Sequence, residues 1–189
     1  MGSDSIFEQF MKTNALLKGH FILSSGLHST KYLQCALALQ NPADANRLGA
    51  EIADKYKGVS IDSVASPAIG GLIIGYAVAQ ALGVRFIWTE RENGAMTLRR
   101  GFNVGSGERI LVVEDVITTG GSTKECMSVL TDRGALVIGA ASIIDRSAGG
   151  ADVGVPRISL ATLDVPSYKP DECPMCSAGE KAYKPGSRA

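Results

Sequence analysis

From residue 61 onward, short apolar segments with the character of β-strands alternate with segments that have the pattern of helices. The strand candidates are "IDSVAS", "VRFIWTE", "RILVVED", "ALVIGAASIID" and "RISLATLDV". Between them, "GGLIIGYAVAQAL" and residues 123–133 predict helices that end at Gly83 and Gly134. This alternation predicts an α/β fold in which helices cover both faces of a mostly parallel sheet. Because ligands of such sheets bind beyond the carboxyl ends of the strands, we expect the functional residues in the loops that follow them.

The residues before 61 predict a helix, a hairpin and a second helix. The first helix is predicted over residues 5–17, and its apolar side consists of Ile6, Phe10, Leu16 and Leu17. "GHFILSSGLHSTKYLQCAL" predicts two strands around a Ser-Ser-Gly turn. The second helix begins at Asn41-Pro42, a favourable cap followed by a proline, and ends near Gly58. Its apolar face consists of Leu48, Ile52 and Tyr56.

Composition places the chain among ordinary globular proteins. A length of 189 residues with 45% hydrophobic and 20% charged residues suits one domain with a substantial core. Nineteen basic residues balance nineteen acidic ones, so no global field attracts nucleic acid or an anionic membrane, and any anion site must be local. No apolar run is long enough to span a bilayer, and "MGSDSIFEQF" lacks the build of a signal peptide. We therefore expect a cytoplasmic protein.

The four cysteines fall into two groups. Cys35 and Cys126 lie in apolar segments, as is normal for reduced, buried thiols. Cys173 and Cys176 form the motif "CPMC", which has the spacing of a zinc knuckle. A four-ligand zinc site needs a second pair of ligands that the sequence does not obviously supply. The favoured interpretation is a plain C-terminal turn, and zinc shared across a dimer is the alternative.

The segment "ILVVEDVITTGGST", residues 110–123, carries the most chemistry. Glu114 and Asp115 follow an apolar run, and charge in such a place is usually paired or used. Gly120 and Gly121 let the main chain turn tightly before a helix, whose first amides can bind an anion. The hydroxyl donors of the segment are Thr118, Thr119, Ser122 and Thr123. The alternative is a helix start alone, since Ser122 and Glu125 have the spacing of a capping box.

A ligand with a phosphate at one end and hydroxyl groups at the other suits this segment. Carboxylates accept hydrogen bonds from sugar hydroxyls directly or bind them through Mg²⁺. The competing nucleotide motifs are absent, because no G-x-G-x-x-G follows a strand and no lysine stands where a Walker A loop requires it. The segment therefore predicts a site for a sugar phosphate.

"VVEDVITTGGST" resembles the phosphoribosyl pyrophosphate (PRPP) signature of the type I phosphoribosyltransferase family. "FILSSGLHSTKYLQ", "TERENGAMTLRRGF" and "CPMCSAGEKAYKPGSR" resemble the orotate-specific branch of that family. The likeness extends from about Gly19 to Arg188. It implies a single domain over residues 1–189, with a Rossmann-like core of approximately residues 41–165 and a small hood of approximately residues 1–40 plus the C-terminal segment. It also implies a homodimer, and Mg²⁺ carried in with PRPP, so that no dedicated metal site of the protein is expected.

The resemblance assigns roles to individual residues. Glu114 and Asp115 would hold the ribose 2′- and 3′-hydroxyls, and residues 118–122 would cradle the 5′-phosphate. The PRPP-binding residues that it implies are Arg91, Glu114, Asp115, Val116, Ile117, Thr118, Thr119, Gly120, Gly121 and Ser122. The pyrophosphate loop would be "SPAIGG", with Ser66, Ala68, Gly70 and Gly71. Spacing alone favours an ordinary strand-to-helix turn at this loop.

Orotate would be bound by Thr118, Arg146, Ser25 and Gly26. The guanidinium of Arg146 suits the orotate carboxylate because it can bind it as a bidentate fork. Without the resemblance, Arg146 is better interpreted as a surface partner of Asp145. His20 and His28 lie in or near the hood hairpin, and a structural or peripheral role is expected for each.

Residues 91–107 would be the mobile catalytic loop, which reaches the active site of the partner subunit. Its hinges would be Gly94, Gly101, Gly105 and Gly107. The catalytic residues implied by the resemblance are Glu114, Asp115, Arg99 and Arg100. An Arg-Arg pair is otherwise most often a solvated surface, but a closing lid better explains so long a loop in a compact domain.

Three positions depart from the family pattern. Many relatives carry lysine where this chain has Ser24 and Gly70, and the loop 91–107 contains no lysine. Arg99 or Arg100 is expected to supply the missing cation of the loop. The implied reaction is displacement of pyrophosphate by a pyrimidine ring nitrogen, without a covalent intermediate. The alternatives are a phosphoribosyltransferase that acts on a purine and a non-catalytic PRPP sensor that regulates transcription.

Overall fold

The computed structural model describes residues 3–23 and 26–185. Its helices are α1 (Ser3–Lys12), α2 (Cys35–Leu39), α3 (Pro42–Asp54), α4 (Gly71–Leu82), α5 (Gly121–Thr131) and α6 (Pro174–Ser177). Its strands are β1 (Leu16–Ile22), β2 (His28–Leu33), β3 (Ser63–Pro67), β4 (Arg85–Glu92), β5 (Ala95–Leu98), β6 (Arg109–Ile117), β7 (Leu136–Asp145), β8 (Arg157–Thr162) and β9 (Ser167–Tyr168). The elements form two compact units, one within residues 1–38 and 164–189 and the other within residues 39–163.

The second unit contains a six-stranded sheet in the order β5-β4-β3-β6-β7-β8. Only β5 runs antiparallel to its neighbour, so the prediction of an α/β fold with a mostly parallel sheet is confirmed. Alternate residues of the central strands are buried on opposite faces. Ala65 and Val112 pack on one face with Cys126 and Leu130 of α5. Because neighbouring strand residues point the opposite way, the same strands bury a second face beneath α3 and α4.

Helix α3 begins and helix α4 ends where the sequence predicts, but α3 stops at Asp54, four residues before the predicted stop near Gly58. The side chain of Asn41 accepts a hydrogen bond of 3.1 Å from the amide of Ala43, and Pro42 opens α3. Gly83 ends α4 in the left-handed conformation, with φ of 69°. The two helices pack so closely that a Cβ atom at Gly49 would lie 2.6 Å from Ala77.

In the first unit, β1 and β2 form the predicted antiparallel hairpin, and β9 extends it to three strands. The prediction of a helix over residues 5–17 is wrong at its end. Asn14 adopts a left-handed conformation with φ of 54°, which stops the helix, so Leu16 and Leu17 enter β1. Ile6 and Phe10 are buried as predicted.

The segment 91–107 is not one long loop. Strand β4 continues to Glu92, and β5 returns antiparallel after a turn of two residues. Asn93 and Gly94 both have positive φ, 52° and 86°, as a tight hairpin turn of this kind requires. The Asn-Gly pair carries the signal for this turn, and the chain is irregular only after Leu98. Within residues 3–23 and 26–185, none of the helices combines the length and apolarity that a membrane crossing requires.

Candidate active site

The two adjacent carboxylates lie at the carboxyl end of the parallel strand β6. The strand continues to Ile117, two residues beyond its predicted end, so Glu114 and Asp115 lie within its last four residues. The loop after β3 meets them, because a Cβ atom at Gly70 would lie 2.7 Å from Oδ1 of Asp115. The structure therefore brings together the predicted ribose carboxylates and the predicted pyrophosphate loop.

Glu114 is mostly buried and is held by α5. The Thr123 hydroxyl, itself fully buried, donates a short hydrogen bond to Oε2 of Glu114. Burial raises the pKa of Glu114 to about 7, and the charge of Asp115 acts in the same direction. The hydrogen bond from Thr123 opposes both effects because it stabilises the ionised form. From the sequence, Thr123 is predicted only as a hydroxyl donor of the loop, because nothing local shows that its side chain faces Glu114.

Asp115 is positioned by its own backbone and by the glycine opposite. Its Oδ1 atom accepts a hydrogen bond of 2.9 Å from the amide of Val116. Gly70 has φ of −55°, an ordinary helical value, so its backbone conformation does not require a glycine. A side chain at position 70 would start in the space that the carboxylate of Asp115 occupies here, so that carboxylate would have to shift.

Helix α5 follows the two carboxylates after a short loop, and it begins with two glycines, which have no side chains. Its N-cap is Gly120, which has φ of 77°, and a Cβ atom there would lie 2.6 Å from Val153. Thr118, Thr119 and Ser122 are exposed around it. Ser122 is the second residue of the helix and does not cap it, so the predicted capping box is wrong. The amide of Gly121 donates a long hydrogen bond of 3.4 Å to Oγ1 of Thr119. The start of a helix offers its first amides to an anion.

The loop 66–71 connects β3 to α4 through tightly packed glycines. Ser66 is fully buried, and the amide of Ala68 donates a hydrogen bond of 2.7 Å to the Thr89 carbonyl. The Ala68–Ile69 peptide is cis. A Cβ atom at Gly71 would lie 2.9 Å from the Val113 carbonyl, so α4 starts against β6.

Arg146 follows β7 and lies beside the start of the phosphate loop. Its amide donates a hydrogen bond of 2.8 Å to the Ile117 carbonyl. The carboxylate of Asp145 is held by Arg157, at 2.9 Å, and by the hydroxyl and amide of Ser147. Burial acts to raise the pKa of Asp145, but these hydrogen bonds outweigh it and lower the pKa. The structure thus provides Asp145 with a partner other than Arg146.

Three predicted arginines lie on or next to the β4–β5 hairpin and form ion pairs with glutamates. Arg100 makes a bidentate pair with Glu90, with distances of 2.7 and 3.0 Å. The other pairs are Arg99 with Glu92 at 3.2 Å and Arg91 with Glu125 at 2.6 Å. Glu125 serves this pair instead of a capping box. In this conformation all three guanidinium groups therefore form ion pairs with carboxylates of β4 or α5.

The predicted orotate residues of the hairpin turn belong to the first unit. Gly26 has φ of 81°, and its amide donates a hydrogen bond of 2.9 Å to the Leu23 carbonyl. Ser25 lies outside the described residues.

Comparisons with known proteins agree on one family. Residues 38–162 match the phosphoribosyl transferase domain family. The chain is 53% identical over 188 residues to the orotate phosphoribosyltransferase of Pelotomaculum thermopropionicum, covering 100% of this chain and 99% of the relative. It is 51% identical over 183 residues to the orotate phosphoribosyltransferase of Thermotoga maritima, covering 97% and 98%. The solved orotate phosphoribosyltransferase of Aeropyrum pernix superimposes with a TM-score of 0.67 at 29% identity, over 82% of this chain and 92% of that one.

The fold is that of a type I phosphoribosyltransferase. The same is true of the two carboxylates near the end of β6 and of the glycines at which α5 begins. By these matches the chain belongs to the phosphoribosyltransferase family, and within it to the orotate phosphoribosyltransferases.

Proposed function

We propose that this chain transfers the 5-phosphoribosyl group from PRPP to orotate, giving orotidine 5′-monophosphate and pyrophosphate in pyrimidine biosynthesis. One observation carries the proposal: Glu114 and Asp115 lie near the carboxyl end of β6, and the first amides of α5 follow within a few residues. That spacing suits a single pentose with hydroxyls at one end and a phosphate at the other. The names of the full-length relatives support the same reaction.

PRPP is bound at three points in this proposal. Glu114 and Asp115 accept hydrogen bonds from the ribose hydroxyls, and residues 118–122 surround the 5′-phosphate with amides and hydroxyls. The loop 66–71 receives the pyrophosphate. Mg²⁺ enters as the magnesium complex of PRPP, and the hard oxygen atoms of the two carboxylates fit such a complex.

Orotate is bound through Arg146 and Thr118. A guanidinium forms two parallel hydrogen bonds with a carboxylate, which selects orotate over bases that have none. Support comes from the backbone contact of Arg146 with Ile117, because it places residue 146 next to the phosphate loop. Gly26 and Ser25 of the hairpin turn complete the orotate site in the proposal.

The reaction forms a bond between the anomeric carbon and a ring nitrogen of orotate as the bond to pyrophosphate breaks. Positive charge develops on the ribose ring and negative charge on the departing pyrophosphate. The carboxylates at the ribose stabilise the positive charge, while amides and arginines stabilise the negative charge on pyrophosphate. No side chain needs to act as a nucleophile, so catalysis rests on positioning and electrostatics.

The active form is a homodimer in which the β4–β5 hairpin and the residues after it serve the partner's site. Ile69, in the pyrophosphate loop, is 84% exposed, and Tyr76 of α4 is 60% exposed. Ile73 and Tyr76 are three residues apart and share one face of the helix. A second copy that covers these apolar side chains lies at the rim of the site, where its arginines can reach the pyrophosphate.

The test mixes the purified protein with orotate, PRPP and Mg²⁺ and follows the loss of orotate absorbance. Arg146→Ala should reduce kcat/KM for orotate by about 100-fold, because the orotate carboxylate then lacks its charged partner. Arg133→Ala serves as the matched control, since Arg133 is exposed at the end of α5 and bonds only its own helix at Val129.

Two outcomes would overturn the proposal. Turnover of a purine base without turnover of orotate would identify a purine enzyme. Binding of PRPP with no turnover of any base would identify a sensor.

A further inference from the structure

Two histidines and two cysteines converge in the first unit, to which none of the residues assigned to PRPP belongs. Nε2 of His20 lies 2.8 Å from Nδ1 of His28. Sγ of Cys173 lies 3.6 Å from Nε2 of His20, and Sγ of Cys176 lies 3.2 Å from Nδ1 of His28. All four of these atoms lie within 4.8 Å of one another. The cluster joins positions that are 153 and 148 residues apart in the sequence.

These distances of 2.8–3.6 Å are close to those within the ligand shell of one small ion, and the two histidine nitrogens would move slightly apart to bind it. Four ligands placed tetrahedrally at the zinc–nitrogen and zinc–sulfur bond lengths are separated by about 3.3–3.8 Å. His20, His28 and Cys173 are buried, whereas Cys176 is exposed and leaves a path for an ion to enter. A pair of thiolates with a pair of imidazoles favours zinc over magnesium or calcium, which prefer oxygen ligands.

The histidine orientation is set before any ion arrives. Nδ1 of His20 lies 2.9 Å from the main-chain carbonyl of Glu180, which can only accept a hydrogen bond. Nδ1 therefore carries the proton, and the lone pair of Nε2 points into the cluster, as in the outer-shell contacts of metal-bound histidines. A bulge in β1 aims this side chain, since two residues, Gly19 and His20, oppose the single residue Thr30 of β2.

The cysteines are also presented by local structure. Cys173 is the N-cap of α6, and its carbonyl accepts a hydrogen bond of 3.1 Å from the amide of Ser177. The chain then returns to the hairpin, where Tyr183 donates to the His20 carbonyl at 2.9 Å and accepts from the Ile22 amide at 2.8 Å. The hydrogen bonds of Tyr183 thus hold the segment after the cysteines against β1, and the pairing of Tyr168 with His28 holds the segment before them against β2.

We propose that His20, His28, Cys173 and Cys176 bind one structural zinc ion with all four coordination positions filled by a single chain. The interpretation of "CPMC" as a plain turn then gives way, because the hairpin histidines supply the second pair of ligands. The ion also fastens both ends of the turn between β1 and β2, which includes Gly26. That consequence for the orotate site rests on the proposed function, whereas the zinc site does not.

The test measures the metal content of the full-length protein, produced without a metal-binding tag. About one zinc per chain is expected by elemental analysis. Cys173→Ser and Cys176→Ser should each weaken zinc binding by about 100-fold or more, beyond the roughly 10–100-fold effect of losing an outer-shell contact. Cys35→Ala is the matched control, because Cys35 is a buried cysteine of the same unit that forms no disulfide and lies outside the cluster, so the variant should keep the zinc.

Cobalt provides a second measurement that does not depend on activity or on how a variant folds. Co²⁺ added to metal-free wild-type protein should give the visible bands of a tetrahedral ion together with thiolate charge-transfer absorption. Stoichiometric zinc with this spectrum supports the site even if orotate is not a substrate. Wild-type protein that holds no zinc and shows no cobalt spectrum, or that contains a Cys173–Cys176 disulfide, overturns it.

Discussion

Glu114 combines burial with a function that requires its charge. A carboxylate with a pKa of about 7 is only partly ionised near neutral pH, whereas the proposed function requires its ionised form to accept hydrogen bonds from both ribose hydroxyls. The hydrogen bond from Thr123 favours the ionised form, and the Mg²⁺ proposed to enter with PRPP would act in the same direction. The proposal therefore couples substrate binding to proton release at Glu114.

The same pKa predicts how stability depends on pH. In the unfolded chain Glu114 loses its proton near pH 4.5, whereas in the folded chain it keeps the proton up to about pH 7. Its contribution is therefore fully present below pH 4.5 and is lost as the pH rises to about 7. Relative to Glu114→Gln, the free energy of unfolding of the wild type should fall by up to about 3 kcal/mol across this window, since one pKa unit corresponds to about 1.4 kcal/mol.

Urea denaturation of both proteins at pH values on either side of this window measures the difference. Glu125→Gln is the control, because Glu125 is an exposed glutamate of α5, the helix that contacts Glu114. The pH dependence of its free energy of unfolding should match that of the wild type. Parallel stability curves for wild type and Glu114→Gln would show that Glu114 has an ordinary pKa.

At the scale of helices and strands, the sequence predicts an end correctly where the residues at that end set it by themselves. Asn41-Pro42 and Gly83 set the ends of α3 and α4 through their own backbone and side-chain geometry. The predicted carboxylates, phosphate loop and pyrophosphate loop also come together, because parallel strands place their carboxyl ends at one edge. Local signals that were present but overlooked are Asn14, which ends α1, and Asn93-Gly94, which turns β4 into β5.

Contacts between distant residues could not be predicted in this way. Nothing in "CPMC" indicates that two histidines about 150 residues earlier face it, because only the bulge in β1 and the return of the chain to the hairpin bring them together. The close approach of Gly70 to Asp115 likewise depends on a carboxylate of another element. The prediction of a capping box failed for a smaller reason, since the N-cap of α5 is Gly120 and Ser122 lies two positions after it.

The hairpin distinguishes between its two candidate catalytic arginines. Arg100 is held by two hydrogen bonds to Glu90, whereas Arg99 has one longer contact, of 3.2 Å, with Glu92. Arg99 is therefore more easily released to meet the departing pyrophosphate. We expect Arg99→Ala to lower kcat by about 10²–10³-fold, as for loss of one transition-state donor, and Arg100→Ala to lower it by less than about tenfold.

Steady-state kinetics with saturating orotate and PRPP separates the two arginines. Arg99→Lys keeps the positive charge and should retain part of the activity. The remaining loss of kcat would reflect the different shape and reach of the lysine side chain. A larger loss of kcat for Arg100→Ala than for Arg99→Ala would reverse the assignment.

At the scale of the whole molecule, the proposal requires two chains for each complete site. In it, the carboxylates and the phosphate loop would come from one chain, and the hairpin arginines would come from its partner. The exposed apolar side chains of Ile69, Ile73 and Tyr76 offer a surface that a second copy would cover. Two-fold dimers make this exchange reciprocal, since each chain gives a hairpin and receives one.

Mixed dimers test this exchange directly. Asp115→Asn removes a site carboxylate and leaves the hairpin intact, whereas Arg99→Ala with Arg100→Ala does the reverse, so each variant alone should be inactive. In a mixed dimer, one site combines the intact carboxylates of one chain with the intact hairpin of the other. Mixed dimers isolated through two different tags should therefore show about half of the wild-type activity, because one of the two sites is complete. If the hairpin served its own chain, both sites would be defective and no activity would return, and a monomeric protein would yield no doubly tagged species at all.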